Sequence, residues 1–169
     1  MRIAILFLFL FSYSVAQKNV FSVARNGSIE EMEALFKSNP NCVNEVDANG
    51  FSPLILASYR GNFEVAKYLI TIVEDINYES PEGTVLMAAV MRNNIEFIHL
   101  LLEKNANLNA TNKTGVTALM LAVQFKNIEI IKILLKNKAN ELLKDNDGKT
   151  AFEYAVLTND DIIIQLLKR

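Results

Sequence analysis

A segment of about 33 residues repeats along this chain, and a chain built that way is committed to stacking like units rather than to enclosing one core. Four stretches align: Asp47-Ala-Asn-Gly-Phe-Ser-Pro-Leu-Ile-Leu-Ala57, Ser80-Pro-Glu-Gly-Thr-Val-Leu-Met-Ala-Ala89, Asn112-Lys-Thr-Gly-Val-Thr-Ala-Leu-Met-Leu-Ala122 and Asp145-Asn-Asp-Gly-Lys-Thr-Ala-Phe-Glu-Tyr-Ala155. Their glycines, Gly50, Gly83, Gly115 and Gly148, step by 33, 32 and 33 residues. The second copy has therefore lost one residue between Gly83 and Leu86. A second motif follows the first three copies. Gly61-Asn-Phe-Glu-Val-Ala-Lys-Tyr-Leu-Ile70 matches Asn93 to Leu102 and Lys126 to Leu135. In the last copy, Asn159 to Lys168, the apolar pattern survives but Asp161 and Ile162 replace apolar-Glu.

These spacings predict a turn, a short helix, a longer helix and a loop in each unit. The four glycines fall where a hairpin needs a positive φ. Ser52-Pro53, Thr117 and Thr150 open the first helix, where a hydroxyl caps free N–H groups. Ala57, Ala89, Ala122 and Ala155 are small enough for neighbouring helices to approach closely. Val65, Tyr68 and Leu69 recur as Phe97, Leu100 and Leu101 and as Ile130, Ile133 and Leu134. That spacing forms one helix face turned to the next unit.

The motifs resemble the ankyrin repeat. The resemblance implies an all-α solenoid of stacked helix-turn-helix units with short hairpin loops. It divides the chain into repeats at 47–79, 80–111 and 112–144, with a final capping repeat at 145–169. A degenerate N-terminal capping repeat, residues 17–46, is carried by Val20 to Gly27 and Ile29 to Phe36. The family's hairpin His is replaced by Ile55, Met87, Met120 and Glu153. A hairpin end held by packing, and looser than the family's, is expected from the three apolar replacements. The deletion and Pro81 predict a local distortion in the second repeat.

The family binds proteins with its concave side, formed by hairpin tips and the open side of the first helices. Mapped onto this chain, that side carries Phe51, Tyr59, Arg60, Met91, Arg92, Val116, Gln124, Phe125 and Lys149. Aromatic residues, Met and Arg are the types that dominate interface cores. The implied function is a protein-protein interaction module, working as a monomer. A secreted effector or toxin-like protein aimed at a host, and an accessory factor for another exported protein, are the alternatives.

The first residues read differently. Arg2 is followed by an unbroken apolar run from Ile3 to Phe11, then Ser14-Val15-Ala16 before Gln17. That order predicts a secretory signal peptide over residues 1–16, cleaved before Gln17. The run is shorter than the roughly 20 apolar residues a membrane span needs. Export follows, to a bacterial periplasm or otherwise by secretion, with no membrane attachment after cleavage.

Chemistry is sparse. The net charge of −2 gives no basic footprint for nucleic acid. One His, His99, and one Cys, Cys42, supply neither a multi-ligand metal site nor an intrachain disulfide. His99 aligns with Lys67 and Lys132, positions that face solvent. Cys42 reads as a lone, partly buried thiol, with pairing to another chain the alternative. Asp145-Asn-Asp-Gly148 looks like the start of a calcium loop, but Val156 stands where its last acidic ligand is needed. Asn26, Asn109 and Asn112 fit the glycosylation acceptor pattern. No enzyme and no cofactor are expected, because no nucleophile, base and oxyanion donors converge.

Overall fold

A computed structural model of the chain describes residues 19–168; the expected signal peptide lies outside the described residues. Helices account for the regular structure: α1 (Val20–Asn26), α2 (Ile29–Ser38), α3 (Pro53–Arg60), α4 (Phe63–Ile70), α5 (Val85–Met91), α6 (Ile95–Glu103), α7 (Ala118–Gln124), α8 (Ile128–Lys136), α9 (Ala151–Thr158) and α10 (Asp161–Leu167), with a 3₁₀ turn at Pro40–Asn44. The chain is an all-α repeat solenoid. Successive odd-numbered helices pack directly on one another from α1 to α9, each paired with the even-numbered helix that follows it.

Helices of 7 to 10 residues are too short to stand alone in water. Two devices hold them. The first is capping: Ser52, Thr84 and Thr117 accept the N–H of Ile55, Met87 and Met120, each contact contributing about 1 kcal/mol. Asn94 and Asn127 do the same for α6 and α8. Asn62, at the start of α4, is used otherwise. Its amide reaches across to the carbonyls of Ala24 and Gly27 at 3.2 and 2.9 Å, fastening the second unit to the first.

The second device is burial between units. Ala57, Ala89, Ala122 and Ala155 have no exposed surface, and Val65, Leu69, Phe97, Leu101, Ile130 and Leu134 are buried as their spacing predicts. Tyr68, Leu100 and Ile133 are half-buried at the edge of the same face. Ile55, Met87 and Met120, which replace the hairpin His, are buried too. Glu153, their counterpart in α9, is exposed and instead accepts the Thr150 N–H at 2.8 Å.

The hairpins show the deletion directly. In three of them the first residue donates its N–H to the carbonyl four residues on, as Asp47 to Phe51, Asn112 to Val116 and Asp145 to Lys149. In the second, Ser80 donates to Gly83, three residues on. Gly83 accordingly has φ +119°, against +78° to +80° at the other three glycines. That is the distortion the missing residue predicts.

Polar ties between hairpins are present despite the lost His. Lys113 N–H donates to the Pro81 carbonyl at 2.9 Å, and Asn146 N–H to the Thr114 carbonyl at 3.0 Å. The Asn146 side chain adds a bond to the Lys113 carbonyl at 3.0 Å. Backbone amides and one asparagine side chain thus join these hairpins where no His stands.

At the opposite end of each unit an asparagine ladder joins the loops. Asn44, Asn77 and Asn109 each accept a backbone N–H from the following unit, from Glu74, Asn107 and Asn140 at 3.1, 2.7 and 2.8 Å. Leu142 holds the next position of this series and is exposed.

Candidate protein-binding surface

In the last four units the chain turns sharply between the two helices, and the residue at the turn has positive φ: Gly61, Asn93, Lys126 and Asn159. This turn ends the first helix abruptly and sets its last residues, such as Tyr59 and Arg60, at the rim of the stack. The most developed part of that rim lies between the second and third units. Phe51 and Tyr59 meet edge to face, with centroids 5.8 Å apart at 83°. The Tyr59 hydroxyl donates to the Glu82 carbonyl at 3.4 Å. Burial, and then the Glu82 charge, raise the Tyr59 pKa, so the hydroxyl stays a donor. Arg92 Nε donates to the Tyr59 carbonyl at 2.6 Å.

Between these groups lies an open depression of about 390 Å³, lined by Phe51, Leu56, Tyr59, Arg60, Glu82 and Met91. Four of the residues expected on the concave side therefore converge on one hollow, and Arg92 braces it. Met91 and Phe125 are 42% and 53% exposed, which is much for apolar side chains of that size. Gln124 and Phe125 stand one unit further along, outside the hollow.

Two expected positions are placed differently. Val116 is only 7% exposed, so the strip loses it as a contact residue. The hairpin folds back on itself there: Val116 N–H donates to Asn112 Oδ1 and its carbonyl accepts the Asn112 N–H. Lys149 is half-buried and turned into its own hairpin, with Nζ 3.0 Å from Asp147 Oδ2. That carboxylate raises the Lys149 pKa. Glu82 and Leu56, by contrast, belong to the hollow although spacing gave no sign of them. Glu82 holds the position before the hairpin glycine, in register with Asn49, Thr114 and Asp147, none of which is its like in length and charge together.

The remaining chemical features stay inside the framework. His99 is exposed. Cys42 is free and buried in the 3₁₀ turn, and burial raises its thiol pKa. Among the described residues no cluster of His, Cys, Asp or Glu could hold a metal, and no helix is long and apolar enough to cross a membrane.

Asp145 is absorbed by its hairpin. Oδ1 accepts the N–H of Asp147 and Lys149 at 3.0 and 2.8 Å, and Oδ2 accepts the Tyr154 hydroxyl. The Tyr154 bond, then these amides, hold the carboxyl below its ordinary range against the opposing desolvation. A carboxyl depressed in the folded state adds stability above its unfolded pKa and loses it as pH falls through the folded one. The same contact raises Tyr154 to about 12, so its contribution is complete below an ordinary phenol pKa and fades as pH rises from there towards about 12. Urea midpoints are expected to fall as pH drops below about 4, the ordinary carboxylate value. Asp145→Asn should flatten that acid limb; an unchanged limb would contradict the assignment.

Comparison with known proteins agrees with this architecture. The family described as "Ankyrin repeats (3 copies)" matches residues 20–112 and 86–169. The chain is 30% identical over 102 residues to the rat Ankyrin repeat and SAM domain-containing protein 6, covering 59% of this chain and 12% of that protein. It is 32% identical over 99 residues to the human Ankyrin repeat and SOCS box protein 11, covering 59% and 30%. It is 31% identical over 103 residues to the rice Probable E3 ubiquitin-protein ligase XBOS32, covering 60% and 21%. The chain thus matches less than a third of the length of each of these relatives.

Proposed function

The chain belongs to the ankyrin-repeat family, and from that premise we propose that it is a protein-binding module whose partner docks on the concave side, along Phe51, Tyr59, Arg60, Met91, Arg92 and Phe125. The observation that carries this reading is the hollow between the second and third units, with Met91 beside it and Phe125 exposed one unit further on. Aromatic, Met and Arg side chains around an open hollow that a partner can cover are the residue types that dominate binding hot spots. No catalytic role is part of the proposal. The ligase named for the rice relative belongs to a protein of which this chain matches 21%; no ligase activity is proposed.

Export belongs to the same proposal. It is supported by Arg2, the apolar run Ile3 to Phe11 and the small residues Ser14 and Ala16. The partner is then a periplasmic or secreted protein, met by a monomer that has lost residues 1–16. N-terminal sequencing of chain recovered outside the cytoplasm should begin at Gln17.

The binding test uses the exposed positions. Tyr59 packs on Phe51, so its removal confounds binding with folding. Met91→Ala combined with Phe125→Ala is expected to abolish capture of partner protein from the exported fraction while leaving the melting temperature nearly unchanged. A folded double variant that captures the same protein would overturn the proposal.

A further inference from the structure

The charges around the hollow differ from those of the chain as a whole. The chain carries a net charge of −2, yet the charges left unneutralised at this rim are positive. Arg60 is exposed and makes no hydrogen bond or ion pair among the described residues. Arg92 is anchored through Nε to the Tyr59 carbonyl and meets no carboxylate among the described residues. Its guanidinium passes over Gly61, with Nη2 only 3.7 Å from where a Cβ there would stand. The one carboxylate lining the hollow, Glu82, is already neutralised by Lys113.

We propose that the hollow receives an acidic protein segment: an apolar side chain enters between Phe51, Tyr59 and Met91, and flanking carboxylates meet Arg60 and Arg92. This rests on the concave-side reading and specifies its partner. Arg92 is held by its own backbone contact, so a carboxylate meeting it forfeits little side-chain freedom. Arg60 sits at the open rim, where a charge governs the association rate and its salt dependence more than the final contact. Glu82, tied up by Lys113, offers no competing charge for a basic segment. The apolar lining supplies what charge alone lacks, since exposed ion pairs by themselves bind weakly.

Random peptides displayed on phage, selected on the full chain, test this directly. Enrichment of Asp and Glu beside an apolar or aromatic residue is expected. A selected peptide should bind Arg60→Glu about tenfold more weakly or worse, Arg60→Gln to an intermediate degree, and the parent more weakly as salt rises. Circular dichroism checks that both variants are folded. Peptides without acidic bias, or equal binding to Arg60→Glu, overturn the proposal. So does retention of the chain on phosphatidylserine vesicles that Arg60→Glu abolishes, if the peptides show no acidic bias. The broader reading fails separately: loss of partner capture by the Met91→Ala, Phe125→Ala variant together with charge-indifferent peptides leaves the binding module standing and removes only its acidic preference.

Discussion

Replacing Phe97 by alanine is expected to destabilise the chain by about 3–5 kcal/mol, the cost of emptying a phenylalanine site in a close-packed interior. Phe97 is the largest of the fully buried side chains, and it lies against Phe63 of the preceding unit with ring centroids 5.2 Å apart. At the equivalent positions the units on either side carry Val65 and Ile130. The stack therefore spends its largest buried ring at its middle. A loss of that size is a large fraction of the 5–15 kcal/mol that holds a typical domain together. In a stack each unit is stabilised by its neighbours, so weakening a middle junction also weakens their coupling. Urea unfolding followed by circular dichroism should show a lower midpoint, with a smaller slope if the halves separate. A loss below about 1 kcal/mol would mean that the neighbouring helices close over the space, contrary to the cavity cost.

The second large effect is expected at a glycine, and a paired variant isolates its cause. Gly115 and Gly148 occupy the same hairpin position with φ +78° and +79°. A methyl group at Gly148 meets nothing within 4 Å, whereas at Gly115 it falls 2.8 Å from both the backbone N and the Oδ1 of Asn146. Gly148→Ala should therefore cost only left-handed strain, about 1–2 kcal/mol. Gly115→Ala adds a clash with the residue whose N–H bonds the Thr114 carbonyl and whose amide bonds the Lys113 carbonyl. It is expected to exceed Gly148→Ala by about 0.5–1.5 kcal/mol, the net worth of a hydrogen bond between exposed groups. Equal midpoints for the two variants would show that the tie between these hairpins contributes nothing.

Each of these expectations combines a periodic feature with a contact between units, and the two were unequally legible. Periodicity located the glycines, because only a residue without Cβ takes positive φ freely. It also located the capping hydroxyls Ser52 and Thr117. The turn residues Asn93, Lys126 and Asn159, all at positive φ, could be read only as counterparts of Gly61. Asn tolerates that conformation better than most residues, but Lys has no such preference. The ladder of Asn44, Asn77 and Asn109 went unread, since each side chain answers a backbone group some 30 residues away. The site followed the same division. Phe51, Tyr59, Arg60 and Met91 were reached by mapping repeat positions, while Glu82, one residue before the hairpin glycine, lay outside the positions mapped.

The sequence by itself determined the number of helix pairs described, where their helices begin, which alanines allow close approach and which side of each second helix is buried. Those are properties of a spacing within one unit, and a spacing survives whatever the units do next. The tertiary structure decided what the surface offers. It placed Arg92 on the Tyr59 carbonyl, withdrew Val116 into its own hairpin, turned Lys149 onto Asp147 and opened the hollow beside Met91. The hollow and its arginine brace depend on how one unit sits upon the next, and Val116 and Lys149 on how each hairpin closes on itself. Their side chains differ from copy to copy, so no period in the sequence announces them.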